Sequence, residues 1–231
     1  MYKELILNND PKSIISETIR TLRTNLQFAA VDKKLKSILV TSSMPGEGKS
    51  FIASNLAVAF AQNGDRVLLV DCDIRRGRQH YIFRTHNRKG LSNLLLEDVK
   101  TKYKEYIHTT KIENLEVLFR GITPPNPSEL LNSEKNKELI KILENEYDIG
   151  IFDSAPINNG GLTDSLIMST LVDGVVIVSK YKKTTFETLK TTKKSLETVN
   201  ANILGVVLNQ TDQHRKRYGN YYGNYYGSYY G

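Results

Sequence analysis

The stretch Ser37-Ile38-Leu39-Val40-Thr41-Ser42-Ser43-Met44-Pro45-Gly46-Glu47-Gly48-Lys49-Ser50 decides how this chain is read. Its first residues form a short apolar run with β-branched members, which predicts a strand. A Pro/Gly turn follows, and residues 50–62, rich in Ala, Leu and Phe, predict a helix. The turn fits the pattern G-x-x-x-x-G-K-[ST] with one departure, Ser43 at the place of the first glycine. Gly46 and Gly48 let the backbone wrap close to a phosphate, and successive N–H groups at the helix N-terminus supply donors. Lys49 reaches outer phosphates and Ser50 can ligate Mg²⁺. Pro45, Gly46, Glu47, Gly48, Lys49, Ser50 and Phe51 are therefore the candidate nucleotide contacts. A glycine turn that only caps a helix is the alternative, and the strand–loop–helix context favours phosphate.

The same kind of run recurs at Val67-Leu68-Leu69-Val70, Ile149-Gly150-Ile151-Phe152, Val175-Val176-Ile177-Val178 and Ile203-Leu204-Gly205-Val206-Val207-Leu208. Helical patterns occupy residues 133–146, 162–171 and 184–200, and a further one, residues 13–30, comes after Asp10-Pro11. Short unalternating strands separated by helices predict an α/β fold, a doubly wound and mainly parallel sheet with helices on both faces. Ligands in such sheets bind beyond the carboxyl ends of strands. Two more of those ends carry acids. Val70-Asp71-Cys72-Asp73-Ile74-Arg75 places two carboxylates on one side if the strand conformation continues. One suits Mg²⁺, directly or through water, and the other suits a substrate hydroxyl proton. Asp73 has the alternative role of capping the next turn of the chain. Ile151-Phe152-Asp153-Ser154-Ala155-Pro156 is an apolar strand ending in an acid fitted to orient Mg²⁺. Three acids at strand ends beside Lys49 and Ser50 are what an Mg²⁺-nucleotide site requires.

The chain has 231 residues, 32 Lys+Arg against 25 Asp+Glu for a net +7, and 39% hydrophobic residues. That fits one α/β domain able to bury a core without staples. Cys72, the single cysteine, excludes an intramolecular disulfide and favours a reducing, cytoplasmic setting. No apolar run approaches the ~20 residues of a membrane span, and the N-terminus lacks a signal-peptide pattern. The final fourteen residues break the pattern. Tyr218, Tyr221, Tyr222, Tyr225, Tyr226, Tyr229 and Tyr230 alternate with Gly, Asn and Ser and include no aliphatic residue. We divide the chain into a folded domain, 1–213, and a tyrosine-rich tail, 214–231, expected to be disordered. With His214-Arg215-Lys216-Arg217 before it, the tail also suits stacking on RNA, but no RNA-binding module accompanies it.

The order of these boxes, with Asp71-x-Asp73-x-Arg75 between the other two, resembles the bacterial tyrosine kinases of capsule and exopolysaccharide synthesis. Glu17-x-x-Arg20-x-x-Arg23, Pro124-Pro125-Asn126-Pro127-Ser128-Glu129-Leu130-Leu131, Asp153-x-x-Pro156 and the tyrosine cluster match as well. With no transmembrane segment fused before it, the chain looks most like the cytosolic, CapB-type branch of Gram-positive bacteria. Ala155 and Gly77 stand where that family often has proline, and neither is expected to touch a role-bearing atom.

The resemblance implies autophosphorylation: ATP and Mg²⁺ as cofactors, and tail tyrosines of a neighbouring subunit as acceptors. Lys49 is assigned to the β/γ-phosphates, Ser50, Asp71 and Asp153 to Mg²⁺, and Asp73 to the tyrosine hydroxyl. Glu17, Arg20 and Arg23, which by spacing alone read as a solvated face, become the subunit interface of a ring-like homo-oligomer. Implied partners are a membrane-bound activator, through which alone the chain meets the membrane, and a cognate phosphotyrosine phosphatase, with no nucleic acid. A MinD/ParA-like ATPase and a non-catalytic nucleotide switch are the competing readings. The former is disfavoured by Met44, where those proteins carry a second lysine. The basic run Arg75, Arg76, Arg78, Arg84, Arg88 and Lys89 is read as surface with a share in anion binding, His80 and His86 as ordinary residues, and Asn209 as a candidate adenine contact.

Overall fold

The computed structural model describes residues 4–29, 35–86, 89–158 and 163–211. The tail tyrosines, Arg88 and residues 214–217 lie outside the described residues. Seven strands form one sheet: β1 (Ser37–Ser42), β2 (Val67–Asp71), β3 (His108–Thr109), β4 (Leu115–Leu118), β5 (Ile149–Asp153), β6 (Gly174–Lys180) and β7 (Ile203–Asn209). Their spatial order is β3-β4-β2-β5-β1-β6-β7. Every pairing is parallel except β3 with β4. The helices are α1 (Ile6–Asn9), α2 (Ile14–Ala29), α3 (Lys49–Ala61), α4 (Gln79–Ile82), α5 (Leu91–Leu94), α6 (Val99–Lys102), α7 (Pro127–Leu131), α8 (Glu134–Glu146), α9 (Asp164–Ser169) and α10 (Phe186–Thr198), with a 3₁₀ turn at Tyr103–Tyr106.

The doubly wound architecture expected from the strand runs is present, and burial shows why. β1, β2 and β5 are buried at every position. Ile38, Val40, Leu69 and Ile151 face one core with α2 and α3, while Leu39, Leu68, Val70 and Phe152 face the other with α8 and α9. Because both faces are covered, the strands read as continuous apolar runs. α3 is buried from Ile52 through Ala61, mostly apolar with Ser54 and Asn55 hydrogen-bonded, as a helix sandwiched between a sheet and α2 must be.

Two strands were not expected. β4 is four residues long and contains Glu116, whose carboxylate accepts from the Tyr147 hydroxyl at 2.6 Å. That hydrogen bond lets an acid sit in a strand that no apolar run announces. β3 is only two residues long. Among the described residues no helix is long and apolar enough to cross a membrane.

Candidate active site

β1, β2 and β5 lie side by side, so the loops after them meet at one end of the sheet. Asp71 and Asp153 are directly paired in register across β2 and β5. This is the ligand position expected of an open parallel sheet.

The loop between β1 and α3 is held from several sides. Gly46 and Gly48 have φ of +79° and +95°, the left-handed region that glycine adopts without strain. A Cβ on Gly48 would lie 2.0 Å from Asn209 Nδ2. Asn209 donates to the Glu47 carbonyl at 2.9 Å, and its own Oδ1 accepts from the Gln210 amide. Asn209 is thus a clasp on the loop through its Nδ2, while its Oδ1 is held by the chain just beyond β7. Glu47 is buried and accepts from the Met44 amide at 2.7 Å and from the Thr184 hydroxyl. Ser43, at the first-glycine position, is buried with its hydroxyl bonded by Thr192 at 2.8 Å. The first intrahelical bond of α3 runs from Ile52 to Gly48, which leaves the amides of Lys49, Ser50 and Phe51 for an anion. The Phe51 side chain packs on the core.

Lys49 Nζ stands 3.2 Å from Asp73 Oδ2 and 4.0 Å from Asp153 Oδ1. Burial lowers its pKa, but Asp153, Asp73 and Asp71 outweigh burial and hold it above the ordinary lysine value. β2 ends at Asp71, so Asp73 does not continue the strand. The amides of Cys72 and Asp73 both turn to the Asp153 carbonyl. Asp73 is both cap and site residue: Oδ1 accepts from the Arg76 amide at 2.9 Å while Oδ2 pairs with Lys49.

Asp71 and Asp153 are fully buried. Burial, then the charge of Asp153, pushes Asp71 well above the carboxylate range. Burial also raises Asp153, opposed by Lys49, Ser50 and Gln79. Oδ1 of each carboxylate is buried without a hydrogen-bond partner among the described residues. Two buried acids beside one lysine, each with an oxygen that accepts no hydrogen bond, fit a hard divalent cation. No group of three His, Cys, Asp or Glu among the described residues could hold a metal unaided. The site therefore suits an ion that keeps waters and takes phosphate oxygens, as Mg²⁺ does. Burial, then the neighbouring acids, raises the Cys72 thiol well above its usual value, which makes it unreactive at neutral pH.

Gln79 and Asp164 carry no signal in the sequence pattern, and the partners of Arg75 and Ser128 are not legible there either. Gln79 donates to Asp153 Oδ2 at 2.8 Å and to the Ser50 carbonyl at 3.1 Å, and its amide donates to Asp71 Oδ2. Arg75 is tied to Asp164 at 2.6 and 3.3 Å and to Ser128 at 3.1 Å, and Ser128 donates to the same Asp164. That cluster joins the acidic box to the N-termini of α7 and α9. Gly77 also touches the site, contrary to expectation. A Cβ there would come within 2.1 Å of Asp71 Oδ1, so any larger residue requires the Asp71 carboxylate to shift. Ala155 is buried and its carbonyl accepts from Thr41.

A cavity of about 510 Å³ opens beside Lys49, lined by Pro45, Gly46, Asp73, Arg75, Arg76, Arg78, Thr123, Ala155 and Pro156. Of the expected basic run, Arg75, Arg76 and Arg78 border it. Arg84 and His86 are exposed elsewhere, and His80 is buried. The Glu17, Arg20 and Arg23 triplet separates: Glu17 pairs with Arg20 at 2.5 Å on the surface, while Arg23 turns to the Ala59 carbonyl of α3 at 3.1 Å.

A phosphate-binding loop closed by glycines, a lysine among three strand-end acids and a cation-ready carboxylate pair define a P-loop nucleotide-binding domain. A family model described as an AAA domain matches residues 35–207. Tyrosine-protein kinase YwqD of Bacillus subtilis (strain 168) is 40% identical over 223 residues, 96% of this chain and 92% of that protein. The putative tyrosine-protein kinase CapB of Staphylococcus aureus is 40% identical over 206 residues, 89% of each. The crystal structure of the chimerical protein CapA2B2 superposes with a TM-score of 0.86 at 42% identity, covering 92% of both chains. The chain belongs to the bacterial tyrosine-protein kinases, and its activity is protein-tyrosine phosphorylation.

Proposed function

We propose that this chain is an autokinase that uses ATP and Mg²⁺ to phosphorylate the tail tyrosines of a neighbouring subunit, Tyr218 to Tyr230, and through this regulates capsular polysaccharide synthesis. The observation that carries the reading is the position of Lys49 Nζ between Asp73 and Asp153 beside an open cavity. The bound Mg²⁺·ATP supplies the γ-phosphoryl group and neutralises its charge. Backbone amides of residues 46–51 grip the phosphates. Lys49 leaves Asp73 for the β/γ-phosphates, which frees Asp73 Oδ2 to accept a hydrogen bond. Asp73 then takes the tyrosine proton as the phenolic oxygen bonds to phosphorus and the bond to the ADP oxygen breaks. Ser50, Asp71 and Asp153 hold the cation or its waters.

Such transfer asks mainly for alignment, and a tail of alternating Tyr and Gly suits an acceptor that must enter a neighbour's cavity. We assign the Glu17–Arg20 face of α2, with Arg23 anchoring the helix to α3, to contacts between subunits of a ring. Several phosphates of about −1.5 to −2 charge each would then loosen that ring. A membrane-bound activator and a phosphotyrosine phosphatase complete the cycle.

The test is phosphopeptide mass spectrometry after incubation with ATP·Mg²⁺, with and without an activator segment, beside a Lys49→Met control. Phosphate on the tail that vanishes in the control is the expected result. ATP hydrolysis without tyrosine phosphate under either condition overturns the autokinase reading.

A further inference from the structure

We propose that Gln79 is the positioning residue of the cation site: it fixes one oxygen of each buried carboxylate and so reserves the other for the metal. The inference rests on the nucleotide reading above and deepens it.

Gln79 is fully buried at the start of α4, a helix of four residues linked to the acids through this residue's side chain and backbone amide. Three hydrogen bonds leave it. The backbone N–H goes to Asp71 Oδ2 at 3.1 Å, and the two protons of Nε2 go to Asp153 Oδ2 at 2.8 Å and the Ser50 carbonyl at 3.1 Å. These partners sit at the end of β2, the end of β5 and the first turn of α3. One residue therefore ties together the three elements that carry the metal-directed groups.

The amide orientation is fixed by its surroundings. Both partners of the side-chain nitrogen are acceptors, so the flipped amide would set Oε1 against two oxygens. A carboxylate at this position would repel Asp153, and an aliphatic side chain would leave Asp153 Oδ2 without this donor and remove the extra bond to the Ser50 carbonyl.

The division of labour is set by the oxygens that remain unbonded. Oδ2 of each acid is spent on Gln79, and Oδ1 of each acid is buried with no hydrogen-bond partner among the described residues. Gln79 Oε1 is the third buried oxygen in the same condition. Three buried acceptors without a hydrogen bond, one of them held only by Lys49 Nζ at 4.0 Å, would be costly in a finished core. They are what a site needs if a hydrated cation is to be received, two anionic oxygens for the ion and a neutral one for the O–H of a bound water.

The experiment uses the full chain with Gln79→Leu and Gln79→Met, the second keeping the unbranched shape, and reads nucleotide binding without turnover. The affinity of a fluorescent ADP analogue is measured in EDTA, and the Mg²⁺ concentration giving half-maximal binding is then measured at saturating analogue. The variants are expected to need about 10–100-fold more Mg²⁺, the usual effect of losing a group that orients metal ligands. Their affinity in EDTA should stay within about three-fold of wild type, because the phosphate-gripping amides and Lys49 are untouched. Thermal unfolding checks the fold, and a variant with wild-type melting is the one interpreted. An unchanged Mg²⁺ requirement in a folded variant overturns the role of Gln79 while leaving nucleotide binding standing. Equal losses with and without Mg²⁺ overturn it too, since they indicate a general collapse of the loop. No analogue binding by wild type in millimolar Mg²⁺ would overturn the nucleotide reading and this inference together.

Discussion

Replacing Asp71 with Asn should make the ligand-free protein more stable while removing its capacity to use the cation. Asp71 and Asp153 are register partners on adjacent strands, both without solvent exposure, with Lys49 Nζ 4.0 Å from Asp153 as the nearby cation. Strands lie about 5 Å apart, and two unit charges at that distance repel by about 3 kcal/mol at an effective dielectric of 20. Lys49 offsets part of this, so removing one charge is expected to stabilise by about 1–2 kcal/mol, within the range common for single stabilising substitutions. The asparagine Oδ1 can still accept from the Gln79 amide, so that hydrogen bond survives. For a chain of this length the gain corresponds to a rise in melting temperature of about 2–8 °C.

The pH dependence has a defined sign. Burial, then Asp153, raises the folded pKa of Asp71 well above its unfolded value near 3.8. A raised folded pKa favours the folded state fully below the unfolded pKa, and that contribution is lost as pH rises through the folded value. The advantage of Asp71→Asn should therefore be largest at neutral and alkaline pH and shrink as acid protonates Asp71 in the wild type. Differential scanning fluorimetry in EDTA across that range measures it. Adding Mg²⁺ and ADP should reverse the order, because ligand binding stabilises the wild type as RT ln(1 + [L]/Kd) and the variant far less. An Asp71→Asn protein that melts below wild type at pH 7.5 without ligand, or whose difference ignores pH, would refute the reasoning.

Gly48→Ala combines a φ of +95° with a Cβ 2.0 Å from Asn209 Nδ2, so it should cost about 1–3 kcal/mol in denaturant unfolding and weaken nucleotide binding; wild-type values for both would show that Asn209 does not clasp the loop. Asp164→Ala strips Arg75 and Ser128 of their shared acceptor, and phosphate transfer should fall with more modest loss of nucleotide affinity, as single-turnover rates and binding isotherms would show. The Tyr106 phenol, held up at about 12 by its hydrogen bond to Glu97 and by burial, has a raised folded pKa. Its contribution should be whole below pH 10 and disappear between about 10 and 12, so the urea-unfolding difference between wild type and Tyr106→Phe should close over that window, and a gap that stays constant to pH 12 would contradict it.

The strands bearing chemistry were legible because each is buried on both faces, which forces an uninterrupted apolar run ending where the backbone meets the ligand. β4 was not legible, because Glu116 interrupts its run and the Tyr147 hydroxyl that satisfies the acid comes from a segment 31 residues away. The position of the strand-end acids was legible for the same reason as the strands. Asp71, Asp153 and Lys49 stand at strand or helix ends where sequence order alone places them together. What sequence order does not carry is the wiring between them. Gln79 reaches Asp153 across 74 residues and Arg75 reaches Asp164 across 89. Both links are hydrogen bonds whose partners share no periodicity.

Gly77 shows the limit most clearly. Along the chain it is a neutral departure from a family preference, but in space its missing side chain is the room that Asp71 Oδ1 occupies. The P-loop pattern specifies where phosphate goes because it is local backbone geometry. The distribution of free and engaged carboxylate oxygens is a tertiary property, set by the backbone N–H and the side-chain amide of one buried residue on a four-residue helix. A chain can therefore display all three nucleotide boxes and still depend, for whether its carboxylates are presented to a cation, on a residue that none of the boxes contains.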